Sequence, residues 1–264
     1  MLRVALGCAA MLVVSACAVR DGDEEPTATV PTPAALASGP ASGPGGSPTS
    51  TTSSSALPSG TPTAAEPAVV PPVVPPVFTG VVGPITTDLA ARMGASWRRG
   101  CPVPLSELRY LTVSYVTFEG ATATGELVVH ADVADAVVTV FAALFAERYP
   151  IRSLRLVDDF GADDDDSMAA DNTSAFNCRA ITGGTAWSEH AYGRAIDLNP
   201  VENPYVRGSS VAPPAGDVFA DRHDAPGVIH GDDVVVRAFA AHGWQWGGYW
   251  DRPIDYQHFS VSGR

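Results

Sequence analysis

Leu111-Thr-Val-Ser-Tyr-Val-Thr-Phe118 alternates in polarity and is rich in β-branched and aromatic residues, the pattern of a strand with one covered face. Gly125–His130 follows after a Gly-containing turn, so the two runs are expected to form a hairpin. Asp132 then stands where it would cap a helix from Val133 to Tyr149, with Val137, Phe141 and Phe145 on one face, and Pro150 stops it. Ile151 to Val157 alternates again, with Arg152, Ser153 and Arg155 on the wet side. A second helix is expected from Asp232 to His242, carrying Val235, Val236 and Phe239 and ended by Gly243. Trp244–Trp246 and Tyr256–Val261 read as closing strands. Strands before and between a few helices, with no βαβ rhythm and no phosphate loop, indicate an α+β domain: an antiparallel sheet with flanking helices.

Outward from this region the composition changes. Residues 85–264 form one domain's worth of chain, enough to bury its own core. Residues 17–84 are mainly Pro, Ala, Ser, Thr, Gly and Val, and 13 of the 23 prolines lie between Asp21 and Thr79. Such a segment lacks the apolar periodicity that would offset chain ordering and reads as a disordered tether, partly polyproline-like around Pro71-Pro72 and Pro75-Pro76. Residues 1–16 read as a signal peptide, with Arg3 before an apolar run from Val4 to Val14 that is too short to span a membrane as a mature helix. The run ends in Val14-Ser15-Ala16-Cys17, which resembles a bacterial lipobox and would make Cys17 a lipidated N-terminus; ordinary signal cleavage is the competing reading. The expected location is therefore extracytoplasmic, tethered to the cell membrane and facing the cell wall.

Charge and cysteine usage narrow the chemistry. A net charge of −13 with no basic run argues against a nucleic-acid partner, and the domain is expected to be a monomer. All 16 basic residues are arginine, which removes lysine Schiff bases and the Ser-x-x-Lys machinery of serine peptidases. With Cys8 lost and Cys17 modified, Cys101 and Cys178 remain as an even pair, expected to form a disulfide in an oxidising setting. Closing that loop would contribute on the order of 4 kcal/mol. A Cys178 nucleophile is the alternative. Asp158 to Asp166 holds six aspartates and reads first as a solvated surface loop, with calcium binding or a cleft rim as the functional reading.

Two blocks carry the chemistry: Ser188-Glu-His-Ala-Tyr-Gly-Arg-Ala-Ile-Asp197 and Asp255-Tyr-Gln-His-Phe259. The chain has six histidines, at 130, 190, 223, 230, 242 and 258, and only His190 and His258 keep such company. A carboxylate in the apolar Ala195-Ile196-Asp197 run is costly to bury unless a cation or metal pairs with it. Two imidazoles and one carboxylate are the ligand set of a catalytic zinc that keeps a fourth position open. Asp255 would supply the base for its water. The bland reading is polar residues bonded within loops. In a regular strand, residues 255 and 258 also point to opposite faces, so a shared site requires a bend between them.

The ordered pattern Ser-x-His-x-x-Gly-x-Ala-x-Asp, Gly-Trp-x-Trp-Gly-Gly and Asp-x-x-His-Phe, with Asn177-Cys178-Arg179 upstream, resembles the zinc D-alanyl-D-alanine carboxypeptidase family, the VanY-like peptidases. The resemblance covers about Ser174 to Phe259 and implies a hedgehog/D,D-peptidase-like zinc fold. It makes His190, Asp197 and His258 the Zn2+ ligands, Asp255 the acid/base and Arg179 the cation that polarises the scissile carbonyl. Ser188 and Trp246 are assigned to substrate contact, Ser188 also to orienting the first block. The implied substrates are peptidoglycan stem peptides. Asp255 stands where dipeptidase members carry Glu, which leans toward carboxypeptidase or endopeptidase action. A non-catalytic zinc-containing domain that binds wall peptides or a protein partner is the alternative class.

Overall fold

The computed structural model describes residues 76–264; the signal segment, Cys17 and most of the tether lie outside the described residues. The chain begins with β1 (Gly80–Pro84) and α1 (Thr87–Arg92), followed by the long hairpin β2 (Leu108–Val116) and β3 (Thr122–His130). Helix α2 (Ala134–Ala146) leads through β4 (Ser153–Leu154) to α3 (Asp164–Ala169) and β5 (Asn172–Thr173). Next come β6 (Ala195–Asp197), β7 (Tyr205–Arg207) and β8 (Ser210–Ala212), then α4 (Val234–Ala240). Three short strands close the chain: β9 (Gln245–Trp246), β10 (Ile254–Asp255) and β11 (His258–Ser260). This is an α+β arrangement whose three-stranded sheets, β1-β2-β3, β10-β7-β8 and β6-β11-β9, are all antiparallel. The pair β4–β5 is parallel, a departure from the expected pattern.

The hairpin divides the core by strand parity. Leu111, Val113, Leu127 and Val129 face α2, where Val137, Val140, Phe141 and Leu144 meet them. Leu108 and Val128 face the other way, into a smaller cluster with Met93, Leu156, Phe176 and Cys178. Both faces of this sheet are therefore covered.

Four expectations change. Gly80–Pro84, counted with the tether, is a strand on the open edge of β2, and Phe78 packs on Phe145 at 5.7 Å between ring centroids. Val81 remains 61 % exposed, so this strand is held by backbone pairing and shows no burial pattern in its sequence. Asp132 does not cap α2, whose N-cap is Val133; its carboxylate pairs with Arg194 and His130, each at 2.5 Å. Of the alternating run 151–157 only Ser153 and Leu154 pair, because the Asn172 side chain accepts from the Arg155 amide and so occupies the next ladder position. The acidic run is not a plain loop. Asp163 caps α3 by accepting from the Asp166 amide, and Asp158 accepts from the Ala95 and Ser96 amides.

Candidate active site

The site is laid out by the pairing of β6 with β11. Asp197 lies opposite His258 and Ile196 opposite Phe259. Because side chains alternate along a strand, both polar residues fall on one face and both apolar residues enter the main core on the other. Phe259 stacks on Phe239 with centroids 4.1 Å apart, which fixes the strand that carries His258.

His190 arrives from a 3₁₀ turn, Glu189–Tyr192, whose N-cap Ser188 accepts from the His190 amide at 3.3 Å. Gly193 ends the turn with φ +66°, and a Cβ there would lie 2.6 Å from the His130 amide nitrogen. Only glycine fits both the left-handed conformation and the close approach. Ser188 is buried and its hydroxyl is bonded within this turn, beside the ligand block.

Three donor groups converge. Asp197 Oδ2 is 3.1 Å from His190 Nε2, Asp197 Oδ1 is 2.9 Å from His258 Nδ1, and the two ring nitrogens are 3.3 Å apart. All three residues are buried, and their ligand atoms lie within 4.8 Å of one another. The outward nitrogens are engaged too: His190 Nδ1 is 2.6 Å from the Ala175 carbonyl and His258 Nε2 is 3.0 Å from the Arg264 carbonyl. Each oxygen can only accept, so in the neutral imidazole the proton sits on the outward nitrogen and the inward one keeps its lone pair, the tautomer a metal requires. Two neutral imidazoles and a carboxylate so prepared fit zinc.

Asp255 closes β10, which pairs with β7, while His258 opens β11 in a different sheet. The bend at Tyr256 and Gln257 removes the conflict between spacing and shared direction. Asp255 is part-buried, and its Oδ1, itself buried, has no hydrogen-bond partner among the described residues. Burial, reinforced by the Asp197 charge, pushes it up to about 7. Gly247 lets the chain after β9 approach: a Cβ there would sit 2.6 Å from the Asp255 carbonyl oxygen.

Arg179 reaches this region through a backbone ladder. The Asn177 amide donates to the His190 carbonyl and the Ser188 amide to the Arg179 carbonyl. Its neighbour Cys178 is bridged to Cys101, as expected, with Cα atoms 5.9 Å apart. That bond excludes a Cys178 nucleophile. The guanidinium Nη2 pairs with Asp164 Oδ2 at 2.6 Å, and its buried Nε–H has no partner among the described residues.

Trp246 does not wall the cleft. It is 5 % exposed, donates from Nε1 to the Tyr256 carbonyl at 2.8 Å and packs in the core beside Phe259. The part-exposed Trp250 lies beside the donor set, its ring 5.4 Å from His258. His223 and His230 pair with surface aspartates, and His242 is exposed at the end of α4. His130 pairs with Asp132 and Glu107 away from the donor set. The sequence carried no sign of Asp164, hidden in a run of like residues, or of the two backbone carbonyls.

No curated protein and no solved structure matches the chain. Arg179 lies just upstream of the stretch for which a family is found. Residues 182–261, which hold all three donors and Asp255, match the family model described as D-alanyl-D-alanine carboxypeptidase, the VanY-like peptidases that the sequence blocks resemble.

Proposed function

We propose that this protein is a zinc peptidase that removes the terminal D-alanine from peptidoglycan stem peptides, acting from a lipid anchor at Cys17 through the Pro-rich tether. The observation that carries the reading is the pairing of a metal-ready His190–Asp197–His258 set with a separate buried carboxyl, Asp255, that takes no part in holding it. A purely structural zinc site is closed by four protein ligands. The family match over residues 182–261 supports the peptidase class. The lipobox and the composition of residues 17–84 support the anchor, and among the described residues no helix is long and apolar enough to cross a membrane. The hedgehog/D,D-peptidase-like fold is part of the same proposal.

Zinc held by His190, Asp197 and His258 would supply an activated water and polarise the scissile carbonyl. Asp255 receives the proton of the attacking water and returns it to the leaving amine. Arg179 offers fixed positive charge to the oxygen on which negative charge develops. Trp250 lies against one side of His258, where it would flank a bound substrate.

Incubation of zinc-loaded protein with purified muropeptides, with products weighed by mass spectrometry, tests the reading. Loss of a single terminal alanine is expected. Intact muropeptides would reject the peptidase, and release of a dipeptide or an internal cut would reject the carboxypeptidase assignment. Labelling with a radioactive fatty acid tests the anchor, which an unlabelled protein would exclude.

A further inference from the structure

We propose that Asp164, in the first turn of α3, is a positioning residue for Arg179: its carboxylate sets the guanidinium in the pose that meets the substrate. The proposal rests on the peptidase reading above and gives a function to the acidic segment that the sequence left as a surface loop.

Three observations converge on it. First, the Asp164–Arg179 ion pair measures 2.6 Å with both side chains about three-quarters buried, at 23 % and 25 % exposure. Asp165 and Asp166, the next residues of α3, are exposed, so one aspartate of the run is singled out. Second, the backbone on each side of the pair is fixed. Asp163 caps α3, and the Asn177 side chain donates to the Ala162 carbonyl at 3.2 Å, tying the start of the helix to the segment that carries Arg179. Behind Arg179, Cys178 is held by its disulfide, by donation of its amide to the Ser96 carbonyl, and by Arg98 Nη1, which donates to the Cys178 carbonyl at 2.8 Å. Ser96 in turn donates its amide to Asp158, at the other end of the acidic run.

Third, the guanidinium is only partly satisfied. Nη2 is taken by Asp164 and Nη1 reaches the Ala180 carbonyl at 3.3 Å, while the buried Nε–H has no partner among the described residues. A buried donor left unpaired is costly, and here it belongs to an arginine whose backbone carbonyl accepts from Ser188, the N-cap of the His190 turn. Asp164 therefore holds the flexible end of the side chain and leaves donor capacity for an incoming oxygen. A long side chain fixed in this way loses little further freedom when substrate arrives.

The test compares Asp164→Asn, Arg179→Gln and the double variant in the full zinc-loaded chain, with Asp165→Asn as control. Asp164→Asn is expected to lower kcat on muropeptides by up to about 100-fold with little change in KM, because a misplaced group forfeits transition-state contact. In the Arg179→Gln background the same change should cost less than about twofold, since coupled residues do not add. Zinc content and melting temperature should stay at wild-type values, and Asp165→Asn should be silent. Equal losses in both backgrounds, or reduced zinc content, would overturn the proposal while leaving the peptidase intact. A readout independent of turnover is the hydrogen exchange of the Arg179 Nε–H, followed by nitrogen-15 NMR and assigned by its absence in Arg179→Gln. Asp164→Asn should accelerate it by about tenfold or more as the restraint is lost. If muropeptides stay intact but this acceleration is seen, the positioning stands and the proposed substrate falls. Unchanged exchange sinks the positioning.

Discussion

Asp197 and His258 face each other across the β6–β11 pair, Oδ1 to Nδ1 at 2.9 Å, while the residues beside them, Ile196 and Phe259, are wholly buried in the main core. The metal donors are thus the reverse side of a packed sheet. Replacing Asp197 by Ala should abolish zinc retention, and so should His190→Ala or His258→Ala. Metal analysis after dialysis checks this, and a variant that keeps one equivalent of zinc would show that the set is misassigned.

Asp255 is held apart from the donors, so Asp255→Asn should retain zinc and lose turnover by roughly 100- to 10,000-fold, the usual contribution of a positioned acid or base. Gly247→Ala should act on the same group from behind. Its new Cβ would meet the Asp255 carbonyl oxygen at 2.6 Å, and backbone cannot swing aside as a side chain can. Steady-state kinetics alongside zinc content checks both; wild-type kcat in either variant contradicts the role given to Asp255.

The metal-free protein should depend on pH in a defined sense. Burial alone would lower His258, but the bond to Asp197 and its charge outweigh that and raise it from 6.5 to about 9. Burial would raise Asp197, but His190 and His258 hold it well below 3.8. The stability linked to His258 is therefore complete below pH 6.5 and fades as pH rises through about 9. That linked to Asp197 is present above pH 3.8 and is lost on further acidification. Asp255, raised from 3.8 to about 7, favours the fold while neutral and gives that up as pH rises through about 7. Melting of chelator-treated protein should peak in mildly acid solution and decline toward pH 9. Zinc affinity should move the opposite way, rising by up to about tenfold per pH unit as the His258 proton becomes easier to displace. A metal-free melting temperature that climbs from pH 6 to 9 contradicts this account.

The Cys101–Cys178 bridge closes a loop with a sequence separation of 77, and none of the three zinc donors lies inside it. Paired Cys101→Ser and Cys178→Ser substitutions should lower stability on the order of 4 kcal/mol. At temperatures where the variant stays folded, zinc should be retained and turnover reduced, because Arg179 follows directly on the released residue. Equal loss of metal and turnover would place the bridge in the ligand scaffold instead.

The hairpin was legible because the face toward α2 is apolar at every second residue of β2 and β3, and the convergence of His190, Asp197 and His258 because they stood in blocks with few competing explanations. What escaped the sequence was whatever depends on a distant partner. Gly80–Pro84 pairs through backbone atoms, which leave no side-chain pattern. Trp246 was assigned to substrate contact because its motif surrounds the site, yet the register Phe259↔Trp246 turns it into the core. Asp164 differs from its neighbours only in lying opposite Arg179, a fact of tertiary structure. The separation of residues 255 and 258 was flagged as awkward, and a strand break between them resolves it.

Phe259 and His258 are adjacent on one short strand, one stacked on Phe239 and the other among the zinc donors. If His190, Asp197 and His258 hold zinc as proposed, melting of the core would release the ion, since His258 leaves the set when its strand unfolds. Free zinc concentration becomes a setting for heat tolerance: at 100 times the dissociation constant, bound ion adds about 2.7 kcal/mol to the folded state. In a metal-poor medium the domain loses more than its chemistry, because the same shortage lowers the temperature at which it unfolds.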